Sequence, residues 1–177
     1  MQIIRIAMTS LCCILASIIF LVCIKWDWSL ILMPILMSLA VSLSNFDKIS
    51  FAKKLTGILL HCFLSIVIFV ITVGTTVSIL FPMGLYTMYI GSALAAILFT
   101  LNTNVILTFP RFWLSMAIII GLSLLVWPIA EYIHAHPLSK FTFLNGRESI
   151  VIIWSTLVGF GVAIGIHHRK YNPDDNS

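Results

Sequence analysis

Residues 85–107 read LYTMYIGSALAAILFTLNTNVIL, a run without a single charged residue that nevertheless carries Thr100, Asn102, Thr103 and Asn104 near its end. An α-helix rises about 1.5 Å per residue and the hydrocarbon core of a bilayer is about 30 Å thick, so about 20 such residues cross it. Amides and hydroxyls inside a span of this kind turn toward other helices or a cavity, because lipid offers them no hydrogen bond. The stretch therefore predicts a helical bundle in a membrane rather than a lone anchor.

The rest of the chain agrees. Of its 177 residues 60% are hydrophobic and 9% charged, with a mean hydropathy of +1.12, whereas a soluble domain has roughly 45–50% apolar and about 25% charged residues. No soluble core absorbs that excess. The net charge of +4 comes from ten Lys and Arg scattered singly between apolar runs, which is a topological signal and not a nucleic-acid patch. Cys12, Cys13, Cys23 and Cys62 all fall inside apolar runs, with neither metal-site spacing nor a disulfide framework, and read as small apolar fillers.

Six spans follow in order, at 6–24, 29–43, 55–78, 85–107, 112–130 and 150–166. The first is too long for a signal-peptide core, and its flank Lys25-Trp26-Asp27-Trp28 lacks a small-x-small cleavage site, so it reads as a retained helix. The second is short and carries Pro34. The third apolar run reaches Phe81, about 40 Å if wholly helical, so it tilts or leaves its Thr72–Ser78 end in the interface. Residues 131–149 form an extracytoplasmic loop with His134, His136, Pro137 and an Asn145-Gly146 turn signal, and 167–177 form a polar tail. The expected fold is all-α: a polytopic integral membrane protein, one domain over 1–166, built as a bundle of six transmembrane helices.

Orientation follows from basic residues near the helix ends. Arg5, Lys48, Lys53, Lys54, Arg111, Arg169 and Lys170 collect on one side; Lys25, Lys140 and Arg147 lie on the other. Both termini are expected in the cytoplasm, with Trp26, Trp28, Tyr86, Tyr89, Trp127 and Tyr132 anchoring the outer surface. Compact loops suit a bacterial inner membrane.

His61 is the ionisable residue deep inside a span, about 9 Å from the start of the third helix, and Asn104 lies at the same depth on the antiparallel fourth. Thr100 and Asn104 share a helical face, while Asn102 points nearly opposite. The expectation is that Asn104 meets His61 and that Asn102 bonds elsewhere, so that His61, Thr100, Asn102 and Asn104 form a polar layer in the inner third of the bundle. Such a layer either locks helices or handles a proton or solute.

Small-residue faces occur at Gly91-x-x-x-Ala95, Ser92-x-x-x-Ala96, Ser155-x-x-x-Gly159 and Gly161-x-x-x-Gly165, which favour close helix packing inside the bundle or against a second copy. Glu131, His134 and His136 carry metal-ligating groups, but Glu131 and His134 share a face only on a helix and His136 joins them only if the helix has ended. No metal site and no cofactor is expected. Motifs for nucleophilic, metal-assisted or phosphate chemistry are absent, as is a pair of intramembrane carboxylates, so the chain is not expected to be an enzyme.

Trp28 to Ser44, followed by Ala52-Lys53-Lys54-Leu55-Thr56-Gly57, resembles the transmembrane module of the fusaric-acid-resistance and aromatic-acid exporters, in which a proline-bearing span precedes a basic, glycine-containing entry to the next. The second glycine of that pattern is replaced around His61. The resemblance implies a transport or permease-type module and assigns no site residues. The alternative is a non-enzymatic accessory, assembly or immunity-type protein that binds another membrane protein or itself. The expected surroundings are the lipid bilayer, with no nucleic-acid partner.

Overall fold

A computed structural model describes residues 2–23, 29–84, 86–136 and 149–168. Every described regular element is helical: α1 (Gln2–Cys23), α2 (Ser29–Ser44), α3 (Lys54–Thr75), α4 (Tyr86–Ile106), α5 (Phe112–Leu124), α6 (Val126–Ala135) and α7 (Ser149–His167). Five described helical segments are long and apolar enough to cross a membrane, with α5 and α6 together counting as one, while α2 is a shorter apolar helix. Lys25, Trp26, Trp28, Pro137, Lys140, the Asn145-Gly146 turn, Arg147, Arg169 and Lys170 lie outside the described residues.

The helices are arranged as a closed ring. Each of α1 to α5 packs on the next, and α7 closes the ring by packing on both α5 and α1, with α6 also against it. Close approach comes from small residues. A Cβ built on Gly159 would lie 2.6 Å from the Cβ of Cys13 on α1, and one on Gly165 would lie 2.8 Å from the Cβ of Ser115 on α5. One on Gly161 would meet Ile119 and Leu122 of α5. The α7 glycines are thus consumed inside the bundle, where van der Waals packing substitutes for the hydrophobic drive that lipid removes. Around them Cys13, Met37, Val41, Ile119, Val158 and Val162 are fully buried.

Three helices are irregular, each for a readable reason. Pro34 sits inside α2, where its missing N–H leaves a carbonyl one turn back unpaired. The α-helical part of α3 stops at Thr75, widens into a π turn over Thr76–Leu80 and tightens into a 3-10 turn over Phe81–Met83, because Pro82 cannot continue a helix and disfavours helical geometry in the residue before it. Between α5 and α6 the chain bends at Leu125, whose N–H bonds the Leu122 carbonyl; Pro128 can neither donate to the Leu124 carbonyl nor avoid crowding it. Helix then resumes to Ala135, so Glu131, Tyr132 and His134 belong to α6 and not to the loop expected over 131–149.

One end of the bundle gathers the basic residues. Arg5 of α1 donates to Asp47 at 2.6 Å, and Lys48 donates to the Ile166 carbonyl at the end of α7 at 3.0 Å while contacting His167 Nδ1 at 2.9 Å. A cation on the last carbonyls of a helix is favourable both as a cap and against the helix dipole. Arg111 reaches His168 at 3.4 Å, and the Ser50 N–H bonds the Ile106 carbonyl at the end of α4. The Arg5 guanidinium holds the Asp47 carboxyl below the usual carboxylate range, slightly opposed by desolvation, whereas burial and the nearby Arg5 lower the Lys48 ammonium. Because the folded carboxyl is the more acidic, the Arg5–Asp47 contribution is present above the ordinary value near 3.9 and fades as pH falls through the lower folded one. Both partners are exposed, so Asp47→Asn is expected to cost less than about 1 kcal/mol at neutral pH and nothing in strong acid, as read from unfolding in detergent at the two pH values.

Candidate functional site

Two features sit side by side within the ring, a hydrogen-bonded layer nearer the basic end and an apolar cavity on its far side. The layer is built from helical repeats: Ser38 and Ser42 on α2, and His61 and Ser65 on α3, stand four residues apart and so share a face. Ser38 Oγ donates to Ser65 Oγ at 2.6 Å, and Ser42 Oγ meets His61 Nδ1 at 2.7 Å. His61 Nε2 faces Thr103 Oγ1 of α4 at 3.3 Å. A neutral imidazole has one donor and one acceptor nitrogen, so one of these hydroxyls donates and the other accepts. The ring also stacks on Phe99, with centroids 5.7 Å apart.

Asn102 completes the layer. Its Nδ2 donates to the His61 carbonyl at 3.2 Å and to Ser65 Oγ at 2.8 Å. The pairing expected from depth and face is therefore reversed. Asn104 does not meet His61: its Oδ1 accepts the Phe109 N–H at 3.0 Å and ties down the turn after α4. Thr100 bonds the Ala96 carbonyl within its own helix. Closer to the basic end, Asn45 donates to Thr9 of α1 at 3.1 Å, which brings a further helix into the polar stratum. Ser38, Ser42, Ser65 and Thr103 were absent from the residues expected to form it. The four-residue spacing of Ser38 and Ser42 on α2, and of Ser65 with His61 on α3, was the signal available, and serines in apolar spans are too common for it to stand out.

The small-residue positions separate in the same way. Gly91 lies against the π turn, where an added Cβ would be 2.8 Å from Thr76 Oγ1, and Ala95 lines the cavity. Ser155 bonds the Val151 carbonyl of its own helix. Glu131 and His134 do share α6, but His136 follows its end, stacking on Tyr132 with centroids 4.7 Å apart. No three metal-ligating side chains gather anywhere among the described residues. No family model matches the chain, and no curated protein or solved structure shows significant similarity to it. The likeness to the aromatic-acid exporters thus rests on residues 28–57 alone.

The cavity measures about 280 Å³. Its wall runs along α3 from Ser65 to Thr76, about 16 Å of helix, and along α4 from Met88 to Phe99, with α1, α2, α5, α6 and α7 contributing the remainder. Ser65 belongs both to the wall and to the layer, and Phe99, between His61 and Trp154, bridges the two. All three helix irregularities border it: Pro34, Thr76 of the π turn, and Leu124 and Val126 on either side of the α5–α6 bend. Val73, Met88 and Leu124 are its exposed members, so the cavity reaches the lateral surface of the bundle.

Proposed function

We propose that the chain is a non-enzymatic, multi-span membrane protein of accessory type, which acts by binding and does not conduct a polar solute. The observation behind this is where the polar groups go. Both ring nitrogens of His61, the amide nitrogen of Asn102 and the hydroxyls of Ser38, Ser42 and Ser65 are engaged between helices, and among the described residues no charged side chain lines the cavity. A permease for a polar or ionic solute needs such groups turned toward an aqueous cavity. Here they hold α2, α3 and α4 together.

In this reading α2 spans the membrane as a short sixth helix, the excess of basic residues at the Arg5–Lys48–Arg111 end favours a cytoplasmic side for both termini, and the compact loops suit a bacterial inner membrane. The lipid-facing sides of α1, α3 and α5 then supply the docking surface for another membrane protein. Photo-crosslinkers placed one at a time at the exposed positions Leu15, Leu59, Phe63 and Trp113 are expected to trap the same larger membrane protein from neighbouring positions. A transport-type module is the second reading, favoured by the three helix irregularities around the cavity, since broken helices mark transporter sites. Protons or anions crossing proteoliposomes by a route lost in His61→Gln would establish it and displace the accessory role.

A further inference from the structure

The size and chemistry of the cavity define an occupant. An engineered void of about 150 Å³ lined by aliphatic residues stays dry and accepts benzene, and natural ligand pockets begin near 300 Å³. A volume of about 280 Å³ thus suits roughly two fused rings. Six aromatic side chains, Phe20, Phe69, Tyr89, Phe99, Trp127 and Trp154, come to its wall from five different helices, where offset or edge-to-face contacts with another ring are favourable. Met33, Met37 and Met88 fill between them with flexible, polarisable thioethers that adapt to aromatic guests.

The wall excludes ions and leaves one fully buried hydroxyl without a partner. Among the described residues no lysine, arginine, histidine, aspartate or glutamate lines the cavity, so a carboxylate or ammonium entering it would lose its water without compensation. Ser65, Ser92 and Ser123 have hydrogen-bond partners within the protein. Thr72 does not: the residue is 8% exposed, lies in the wall, and its Oγ1 has no partner. A threonine in a helix divides between two χ1 rotamers, and an enclosed hydroxyl without a partner is costly until one arrives. Rotation about χ1 carries the hydroxyl to another of the staggered positions about Cβ.

We propose that this cavity binds a neutral, lipid-soluble aromatic molecule of about two rings carrying one hydroxyl or carbonyl oxygen, entering laterally past Val73, Met88 and Leu124 and hydrogen-bonded by Thr72. The site stands whether or not the accessory reading does, since it concerns binding alone. It also differs from what a likeness to aromatic-acid exporters implies, because the acid form of such a ligand is the form the wall rejects.

Purified protein in detergent is titrated with 1-naphthol, naphthalene and 1-naphthoate, following tryptophan emission, to which Trp127 and Trp154 at the wall contribute. Naphthol is expected to saturate the signal and naphthoate to leave it unchanged. Thr72→Val, nearly isosteric, is expected to weaken naphthol by about three- to tenfold while changing naphthalene by less than about twofold, and Thr72→Ser to restore naphthol binding. Ala95→Phe, which fills the cavity, is expected to abolish both. Unsaturable naphthol quenching, binding retained in a folded Ala95→Phe, equal binding of naphthoate, displacement of naphthol by equimolar 1-octanol, or equal losses of naphthol and naphthalene in Thr72→Val would each overturn the proposal. If Ala95→Phe does not yield folded protein, the comparison of the Thr72 variants decides.

Discussion

Replacing His61 with alanine is expected to lower the stability of the folded bundle by about 3 kcal/mol. Two interhelical hydrogen bonds disappear, to Ser42 and Thr103, each worth roughly 0.6 and at most about 1.7 kcal/mol in a bilayer. The stacked contact with Phe99 adds about 0.5–1.5 kcal/mol, and the space left by a fully buried ring adds a void term. Part of the loss is offset, because the orphaned Ser42 and Thr103 hydroxyls can turn back onto carbonyls of their own helices. His61→Gln keeps a donor and an acceptor and should recover about half. Unfolding in mixed micelles or by steric trapping reads the difference. A loss under about 0.5 kcal/mol would mean that the layer does not hold α2, α3 and α4 together.

Enlarging Gly159 is the second severe change. Even the β-carbon of alanine would sit 2.6 Å from the Cys13 Cβ and 2.7 Å from its Sγ, so α1 must move off α7. Overpacking of this kind costs about 1–3 kcal/mol, less the gain of up to about 1 kcal/mol from replacing glycine in a helix. Gly159→Ala is therefore expected to cost about 1 kcal/mol, and Gly159→Leu to prevent assembly. Gly121 is the control: nothing lies within 4 Å of a Cβ built there, so Gly121→Ala should be neutral or stabilising. The clash is with the Cβ and Sγ of Cys13, and Cys13→Gly removes both. In a double-mutant cycle Cys13→Gly should relieve most of the Gly159→Ala cost; additive costs would place the damage elsewhere.

Helix positions were legible in the sequence because length and hydropathy suffice for them: 85–107 became α4 almost to the residue, and 150–166 became α7, while the segment at 29–43 is a shorter apolar helix. The small faces of α7 were legible too, since glycine four residues from glycine has few other uses in lipid. Facing directions were not. In a soluble helix the polar side marks the outside, but here both sides of each helix are apolar and no stripe shows which way it turns. That is why Asn104 was expected at His61 when Asn102 and Thr103, nearly a half-turn and a quarter-turn away, are the residues that reach it. The α5–α6 bend could have been read from Pro128, which removes a hydrogen bond at the point where the helix turns. The cavity could not have been read, because an unfilled volume depends on how far apart several helices are held and no single residue type encodes it.

The contact between α1 and α7 bears on how the molecule is made. Thr9, Cys13 and Ser17 lie on the buried side of α1, and the helix that covers them at Gly159 is synthesised more than a hundred residues later. At about 5–20 residues per second the first span waits on the order of ten seconds in the bilayer with Cys13 uncovered by α7, held by α2 and by the Asn45 and Asp47 contacts that follow it. During that interval it is open to capture by other nascent helices or by the insertion machinery. A chain stalled before residue 149 would keep all its earlier spans yet leave the ring open, so arrival of α7 is the step that commits the molecule to its final form.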